Sequence, residues 1–427
     1  MPSHSSNWRR RQFLKTTSVG IGAGTLAGCL GGDDDEGVGD QVTIGAVAPL
    51  DDPIGQNIET AAEIAAEELN ENGGIAGADV EIDIRNSNYE VQGTRSRYQE
   101  LIQEAGAAMT MGPYVSENQL AIMDNIADSQ TIHMGVASGT PGTTELLADD
   151  YERYKYYFRV GPLNGYFRGE ELLKFAENHI SDLGWERIAI LVEDYEWTTP
   201  ISEVIDGQIG EVTDAEVVMN TRFSGDTEDF SPLFDEAESA DADGILTAIA
   251  HIGTDMIVQW YDQERPMGLA GTTVPAEDPN YWDDLDGSCA FVAGSLFGGV
   301  QGAYLTERGE EFAQTFAEAD GPGVSPMYPA FHTYDAMYIF AEAVEEADDS
   351  LDPEDLIPVL EETSHDGSAG TIEFYGQDHE FPHDVKHGDD LLREMQYQWQ
   401  PDGDGGEQVG IAPEEIATGE YQQPDWI

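Results

Sequence analysis

The side chains best placed for chemistry sit in short, hydroxyl-bearing loops. Ser116 stands in the N-cap position of an amphipathic segment, Glu117 to Asp128. A helix start carries about half a positive charge and several free amide groups, which suits a carboxylate or another anion. The same serine serves equally as a cap with no further role. A second loop, Ala137-Ser138-Gly139-Thr140-Pro141, offers two hydroxyls and open backbone after a strand-like run, Thr131 to Met134. Other groupings lose force once their spacing is considered. His379, His383 and His387 recur every fourth residue, which on one helix face would invite zinc, but Pro382 breaks that helix and points to a loop. The run from Asp402 to Glu407 is rich in oxygen ligands yet lacks the twelve-residue calcium-loop spacing, and reads as a hairpin turn. Cys289 lies in the apolar run SCAFVAGSLF, where a packed, inert thiol is expected rather than a nucleophile. The patterns GxSxG, HExxH, GxxxxGKS and GxxxxGKT do not occur, so hydrolase, metalloprotease and nucleotide-binding readings have no motif behind them. No metal site and no cofactor is expected.

The elements that must position these loops are clearest in residues 42–77. Val42 to Ala48 reads as a buried strand, Pro49 to Gly55 as a loop, and Gln56 to Asn72 as a helix with Ile58, Ala61, Ala62, Ile64, Ala65 and Leu69 on its apolar stripe. Gly73-Gly74 ends that helix, and a second strand, Val80 to Arg85, follows almost at once. A strand, helix and strand so closely joined demand a parallel sheet with a right-handed crossover. Ligands collect at the carboxyl ends of such strands, here the loop Pro49 to Gln56. The same pattern continues through a strand at Ala107 to Gly112 and the loop Gly112 to Ser116, so three strand-end loops face one cleft. After an aromatic stretch, Tyr151 to Phe158, the alternation restarts with strands at Arg187 to Glu193, Glu216 to Asn220, Gly244 to Thr247 and Leu269 to Thr272. Beyond Gly302, helices at Thr306 to Ala319, Phe331 to Ala347 and Pro353 to Glu362 precede strands at Thr371 to Tyr375 and Glu394 to Trp399. The fold class is therefore α/β, with two Rossmann-like lobes built on parallel sheets.

Length agrees with two lobes: 427 residues exceed what one core organises. The charge is unusual. Eighteen Lys and Arg stand against 85 Asp and Glu, a formal net charge of −67. Such a chain repels itself over a Debye length of about 30 Å at 0.01 M salt, but of only about 3 Å at 1 M. The acids are spread along the chain, as in a solvated surface adapted to high salt, and nucleic acid is not expected as a partner. A basic start, Trp8-Arg9-Arg10-Arg11-Gln12-Phe13-Leu14-Lys15, and an apolar Gly-rich run to Gly28 read as a twin-arginine export signal. Leu26-Ala27-Gly28-Cys29 reads as a lipobox with Cys29 as the lipid-attachment residue, followed by a flexible acidic spacer, Gly31 to Asp40. The lipid would be the only membrane anchor.

Six segments carry a resemblance: IGAVAPL (44–50), AAEELNENGGIAG (65–77), GPYVS (112–116), FRVGP (158–162), TYDAM (333–337) and GSAGTIEF (367–374). In this order and spacing the chain, over residues 42–399, resembles the ABC-transporter substrate-binding proteins of the leucine/isoleucine/valine-binding family, in the form of a haloarchaeal-type twin-arginine lipoprotein. The resemblance implies a type I periplasmic-binding-protein fold whose lobes are joined by three crossings, near residues 160, 293 and 368. The implied organisation is a signal peptide over 1–28, a linker over 29–40, a first lobe over 41–160 and 294–368, and a second over 161–293 and 369–427. It further implies a monomer, outside the cytoplasm and lipid-anchored, that closes over one amino acid and docks on ABC permease subunits without catalysing a reaction. Carried over by position, Ser116 is similar to the serine that holds the ligand carboxylate, and Ala137, Ser138 and Thr140 match the segment that holds its polar end. Trp197 stands where an aromatic covers the ligand, and His251, or Ala250 one position away, falls at a second such place. The acidic partner of the ligand ammonium is displaced, leaving Glu277 or Asp278 in GTTVPAEDPNYW. That departure leaves urea or a short-chain amide as the alternative ligand, and a sensor feeding a separate transducer as the alternative role.

Overall fold

The computed structural model describes residues 39–320, 325–403 and 405–427; the predicted signal peptide, Cys29 and nearly all of the acidic spacer lie outside the described residues. The first lobe is built from β1 (Gln41–Ala48), α1 (Pro53–Glu71), β2 (Asp79–Asn86), α2 (Val91–Glu100), β3 (Met109–Met111), α3 (Ser116–Ser129), β4 (Ile132–Gly135), α4 (Gly142–Asp149), α5 (Tyr151–Tyr154) and β5 (Tyr157–Arg159). Its five strands pair in parallel in the order β2-β1-β3-β4-β5. Two departures from expectation bear on the cleft and the sheet edge. Helix α1 begins at Pro53, not Gln56, because the Asp52 carboxylate accepts the Ile54 amide and Pro53 fits the first helical turn. Strand β5 emerges from the aromatic stretch as the edge of the first sheet.

The second lobe holds α6 (Gly165–Phe175), α7 (Ser181–Leu183), β6 (Arg187–Glu193), α8 (Thr198–Val212), β7 (Glu216–Phe223), α9 (Ser231–Ser239), β8 (Gly244–Ile249), α10 (Thr254–Asp262), β9 (Gly268–Thr273) and α11 (Tyr281–Asp284). Its sheet is parallel in the order β7-β6-β8-β9. Strand β6 shows why both faces are covered: Ile188, Ile190 and Val192 join one apolar cluster, and Ala189 and Leu191 the opposite one. A three-stranded antiparallel sheet completes this lobe, with β10 (Ala293–Leu296), β15 (Met395–Asp402) and β16 (Gly405–Ala412) in the order β10-β15-β16. Asp402 pairs with Gly405 where β15 and β16 run antiparallel, as expected of a hairpin over the Asp402 to Glu407 run.

Between them lie β11 (Gly299–Val300), β12 (Ala303–Tyr304), α12 (Glu307–Asp320), α13 (Tyr328–Glu346), α14 (Pro353–Glu361), β13 (Ser364–Asp366) and β14 (Thr371–Glu373). Phe316, Phe331, Met337 and Leu356 of the three helices pack in the first lobe's core. The expected third crossing, near 368, moves. Ile372, Phe374, Phe381, Val385 and Leu392 stay in the first core, whereas Met395, Tyr397 and Trp399 join the second, so the chain passes between the lobes at residues 392–395. The reason is β13–β14, a hairpin that returns residues 371–373 to the first lobe. No helix among the described residues is long and apolar enough to cross a membrane.

Candidate functional site

The carboxyl ends of both parallel sheets meet across one cleft. After β1 come Asp52, Pro53 and Ile54; after β2, Tyr89; after β3, Tyr114 and Val115. From the second lobe, Tyr195 follows β6, Ala250 and His251 follow β8, and Val274, Pro275, Asp278 and Tyr281 follow β9. Together with Met327, ahead of α13, they enclose a cavity of about 530 Å³, within the range that holds a small organic ligand. The lobes touch across it: the Tyr114 hydroxyl donates to the Ala250 carbonyl at 3.0 Å, and the Glu196 amide to Glu117 Oε1 at 3.2 Å.

Beneath this cavity lies a second, tighter one of about 10 Å³, lined by Ser116, Ala137, Trp197 and His251 together with Arg168 and Tyr328. Four of the sequence-predicted residues are thus brought together, but in a space near the size of one water molecule. Tyr328, whose hydroxyl donates to the Ala137 carbonyl at 2.7 Å, occupies the floor. Ser116 is the first residue of α3, not its N-cap; Val115 takes the cap position, and the Ser116 oxygen meets the Ser138 hydroxyl at 3.4 Å. Ser138 and Thr140 line neither cavity. Their carbonyls accept from the buried Arg159 guanidinium, itself paired to Asp384 at 3.0 Å, and the Thr140 hydroxyl accepts the Gly142 amide. Arg159 therefore shapes the loop from below.

Trp197 and His251 share a partner that sequence reasoning did not single out. Glu193, the buried last residue of β6, accepts from Trp197 Nε1 at 3.0 Å, from the His251 amide at 3.0 Å and from His251 Nδ1 at 2.8 Å. That carboxylate fixes the imidazole as an Nδ1–H donor and holds its ring between Tyr114 and Tyr195, at centroid distances of 5.0 and 4.1 Å. Of the two acids considered after β9, Asp278 reaches the larger cavity and Glu277 does not. Glu277 is buried, accepts the Tyr328 amide at 3.2 Å, and burial pushes its carboxyl up to about 8 despite the nearby Arg168. Also on the cavity wall are Tyr89, Tyr195 and Tyr281, which sequence reasoning did not single out, and Asp52 and Tyr114, which lie in the strand-end loops it assigned to the cleft without naming them. Their signal was position: each lies just beyond a strand or in the helix opening after one.

The remaining candidates separate. His383 is buried, hydrogen-bonding the Tyr157 carbonyl and Glu361; His379 stacks on Tyr375; His387 meets Glu170 at 2.9 Å. No group of three or more metal-ligating side chains clusters among the described residues. Cys289 is fully buried in the second lobe, and burial pushes its thiol up to about 12.

Residues 41–387 match the family described as periplasmic binding protein. The chain belongs to the periplasmic binding protein family. Among solved structures, this periplasmic binding protein is similar to an ABC transporter substrate-binding protein from Sphaerobacter thermophilus, with 18% identity and a TM-score of 0.72 over 87% of this chain and 97% of that one. It is also similar to a solute-binding protein of an ABC transporter from R. palustris in complex with 4-hydroxybenzoate, with 15% identity and a TM-score of 0.73 over 91% and 99%. A third is the branched-chain amino acid transporter substrate-binding protein from Streptococcus pneumoniae in complex with isoleucine, with 16% identity and a TM-score of 0.68 over 87% and 99%. At these identities the likeness is one of fold. No curated protein matches this periplasmic binding protein.

Proposed function

We propose that this periplasmic binding protein is the extracytoplasmic solute-binding component of an ABC uptake transporter, and that its solute is an amino acid held between the lobes. The observation that carries the reading is the 530 Å³ cavity, whose wall comes from strand-end loops of both sheets. A solute touching both walls stabilises the closed arrangement over the open one, and the closed form is what a permease would recognise. The Tyr114–Ala250 and Glu196–Glu117 contacts are those that closure makes. No step in this cycle makes or breaks a covalent bond, and the cavity wall is built of tyrosines, aliphatic groups and two carboxylates beside His251. Export through the twin-arginine signal and a lipid on Cys29 would hold the protein at the outer face of the membrane.

Relatives of this fold carry isoleucine in one case and 4-hydroxybenzoate in another. The two carboxylates, Asp52 and Asp278, favour the ligand that bears an ammonium, because an aromatic acid would bring a like charge to the same wall. The test is a thermal-shift screen of the full-length chain in molar salt against amino acids, urea, short amides and aromatic acids. A solute at 100 times its dissociation constant adds about 2.7 kcal/mol of stability. A rise in melting temperature with an amino acid supports the reading; a rise with urea or amides alone moves the ligand to that class.

A further inference from the structure

We propose that the solute carries a second cationic group in addition to its ammonium, and is a basic amino acid rather than a branched-chain one. The inference rests on the solute-binding reading and names the class of the solute's side chain. Asp52 reaches the larger cavity from the first lobe and Asp278 from the second, and among the described residues no Lys or Arg lines it. Acids on the open surface are solvated and, in molar salt, screened. These two are half-buried, and a solute that fills the cavity displaces the water left on them. One ammonium compensates one of them. The other stays uncompensated between the lobes unless the solute brings a second cation.

Acceptors for such groups are present. Asp52 Oδ1 takes the Ile54 amide at 3.2 Å, and Asp278 Oδ1 takes the Asn280 amide and side chain at 2.8 and 3.0 Å, which orients each carboxylate and leaves Oδ2 with capacity for a further donor. His251 adds a third acceptor. Its side chain is 9% exposed and its Nδ1–H goes to Glu193, while Nε2, on a ring that lines both cavities, has no hydrogen-bond partner among the described residues. In that tautomer Nε2 presents a lone pair, which an N–H of the solute satisfies. One ammonium has donors enough for all three, so charge decides. A neutral side chain leaves one wall carboxylate unpaired and adds the solute's own. That third carboxylate has the start of α3, whose cap residue Val115 lines the cavity and makes no side-chain bond. Ile54, Val274 and Met327 give a methylene stem an apolar wall.

The experiment is calorimetric titration of the full-length chain in molar potassium chloride with lysine, ornithine and arginine, with norleucine, which has the carbon skeleton of lysine without the second ammonium, with cadaverine, which lacks the carboxylate, and with leucine and benzoate. The best of the three basic amino acids should bind at least tenfold tighter than norleucine and leucine. Asp52→Asn and Asp278→Asn each keep an oxygen for the Ile54 or Asn280 amide and remove one charge. The preference for the basic amino acid over norleucine should fall at least fivefold in one variant or both. The inference is overturned if norleucine or leucine matches the basic amino acids, if the preference is unchanged in both variants, or if benzoate binds and the basic amino acids do not; solute binding itself survives the first and the last. Binding of cadaverine alone would uphold the second cation and overturn the amino-acid reading. Absence of binding by all of these and by every amide and aromatic acid would overturn both.

Discussion

Under the cleft floor, Arg168 gathers the groups that set how the two lobes meet. Its Nε pairs with Glu394 at 2.7 Å, its guanidinium lies 5.5 Å from the rings of Trp197 and Phe297, and it is nearly fully buried. His332, on α13 of the first lobe, is buried beside it; desolvation and that positive charge push the imidazole down to about 3, so it stays neutral. Glu277 completes the group with a carboxyl raised to about 8, mainly by burial. Between its ordinary value near 4.5 and about 8, the folded chain therefore holds a proton that the unfolded chain has lost. Stability from this group is complete below about 4.5 and falls away as pH rises to about 8, by on the order of 5 kcal/mol. Glu277→Gln keeps an acceptor for the Tyr328 amide and removes the titration. Melting temperatures measured from pH 5 to 8.5 should decline less steeply in the variant than in the parent; parallel curves would show that Glu277 is ionised in the folded chain. Cys289 gives a second expectation at this scale: buried, with its thiol pushed up to about 12, it should resist iodoacetamide in the native protein and react once the chain is unfolded.

At the level of elements, the second sheet depends on a tryptophan lying across two glycines. A Cβ on Gly244 would come within 2.2 Å of the Trp185 ring, and one on Gly268 within 1.9 Å. These are the first residues of β8 and β9, which pair directly, so the indole lies over the lower edge of the sheet and is 2% exposed. Any side chain at Gly268 must expel it. Gly268→Ala is expected to cost about 1–3 kcal/mol, read as a lower denaturant midpoint at an unchanged slope. Ligand specificity should not change, because the cleft lies at the opposite, carboxyl ends of the strands.

For the molecule as a whole, charge and closure are linked. A net charge of −67 on one chain opposes compaction, and it opposes most strongly the approach of two lobes that each bring a carboxylate to the cleft, Asp52 and Asp278. Moving from molar salt to about 0.01 M lengthens the Debye screening distance about tenfold. The melting temperature should therefore fall steadily as salt is withdrawn, and addition of a neutral osmolyte at equal osmolarity should not restore it to the molar-salt value. A melting temperature independent of salt would mean that the acidic surface is not what sets the protein's salt requirement.

Composition and periodicity were enough to determine the α/β alternation, the parallel pairing and the side of the sheets on which the cleft opens. Those features follow from local rules: short apolar runs such as Ile188 to Val192, rich in β-branched residues, read as buried strands, and helices joined to them by short loops give right-handed crossovers. The resemblance added an expected return of α12 to α14 to the first lobe, and named Trp197 and His251, which line the smaller cavity. What sequence alone could not determine was which loop side chains face the same space. Tyr89 and Tyr281 are nearly 200 residues apart, and only the docking of one sheet on another makes them neighbours of one cavity. Packing within the first lobe set Tyr328 against the Ala137 carbonyl and left the Thr140 hydroxyl on the nearby Gly142 amide, while Asp278 stands at the cavity wall and Glu277, one residue away, is buried. A side chain's direction depends on the partner packed against it, and in a cleft that partner comes from either lobe.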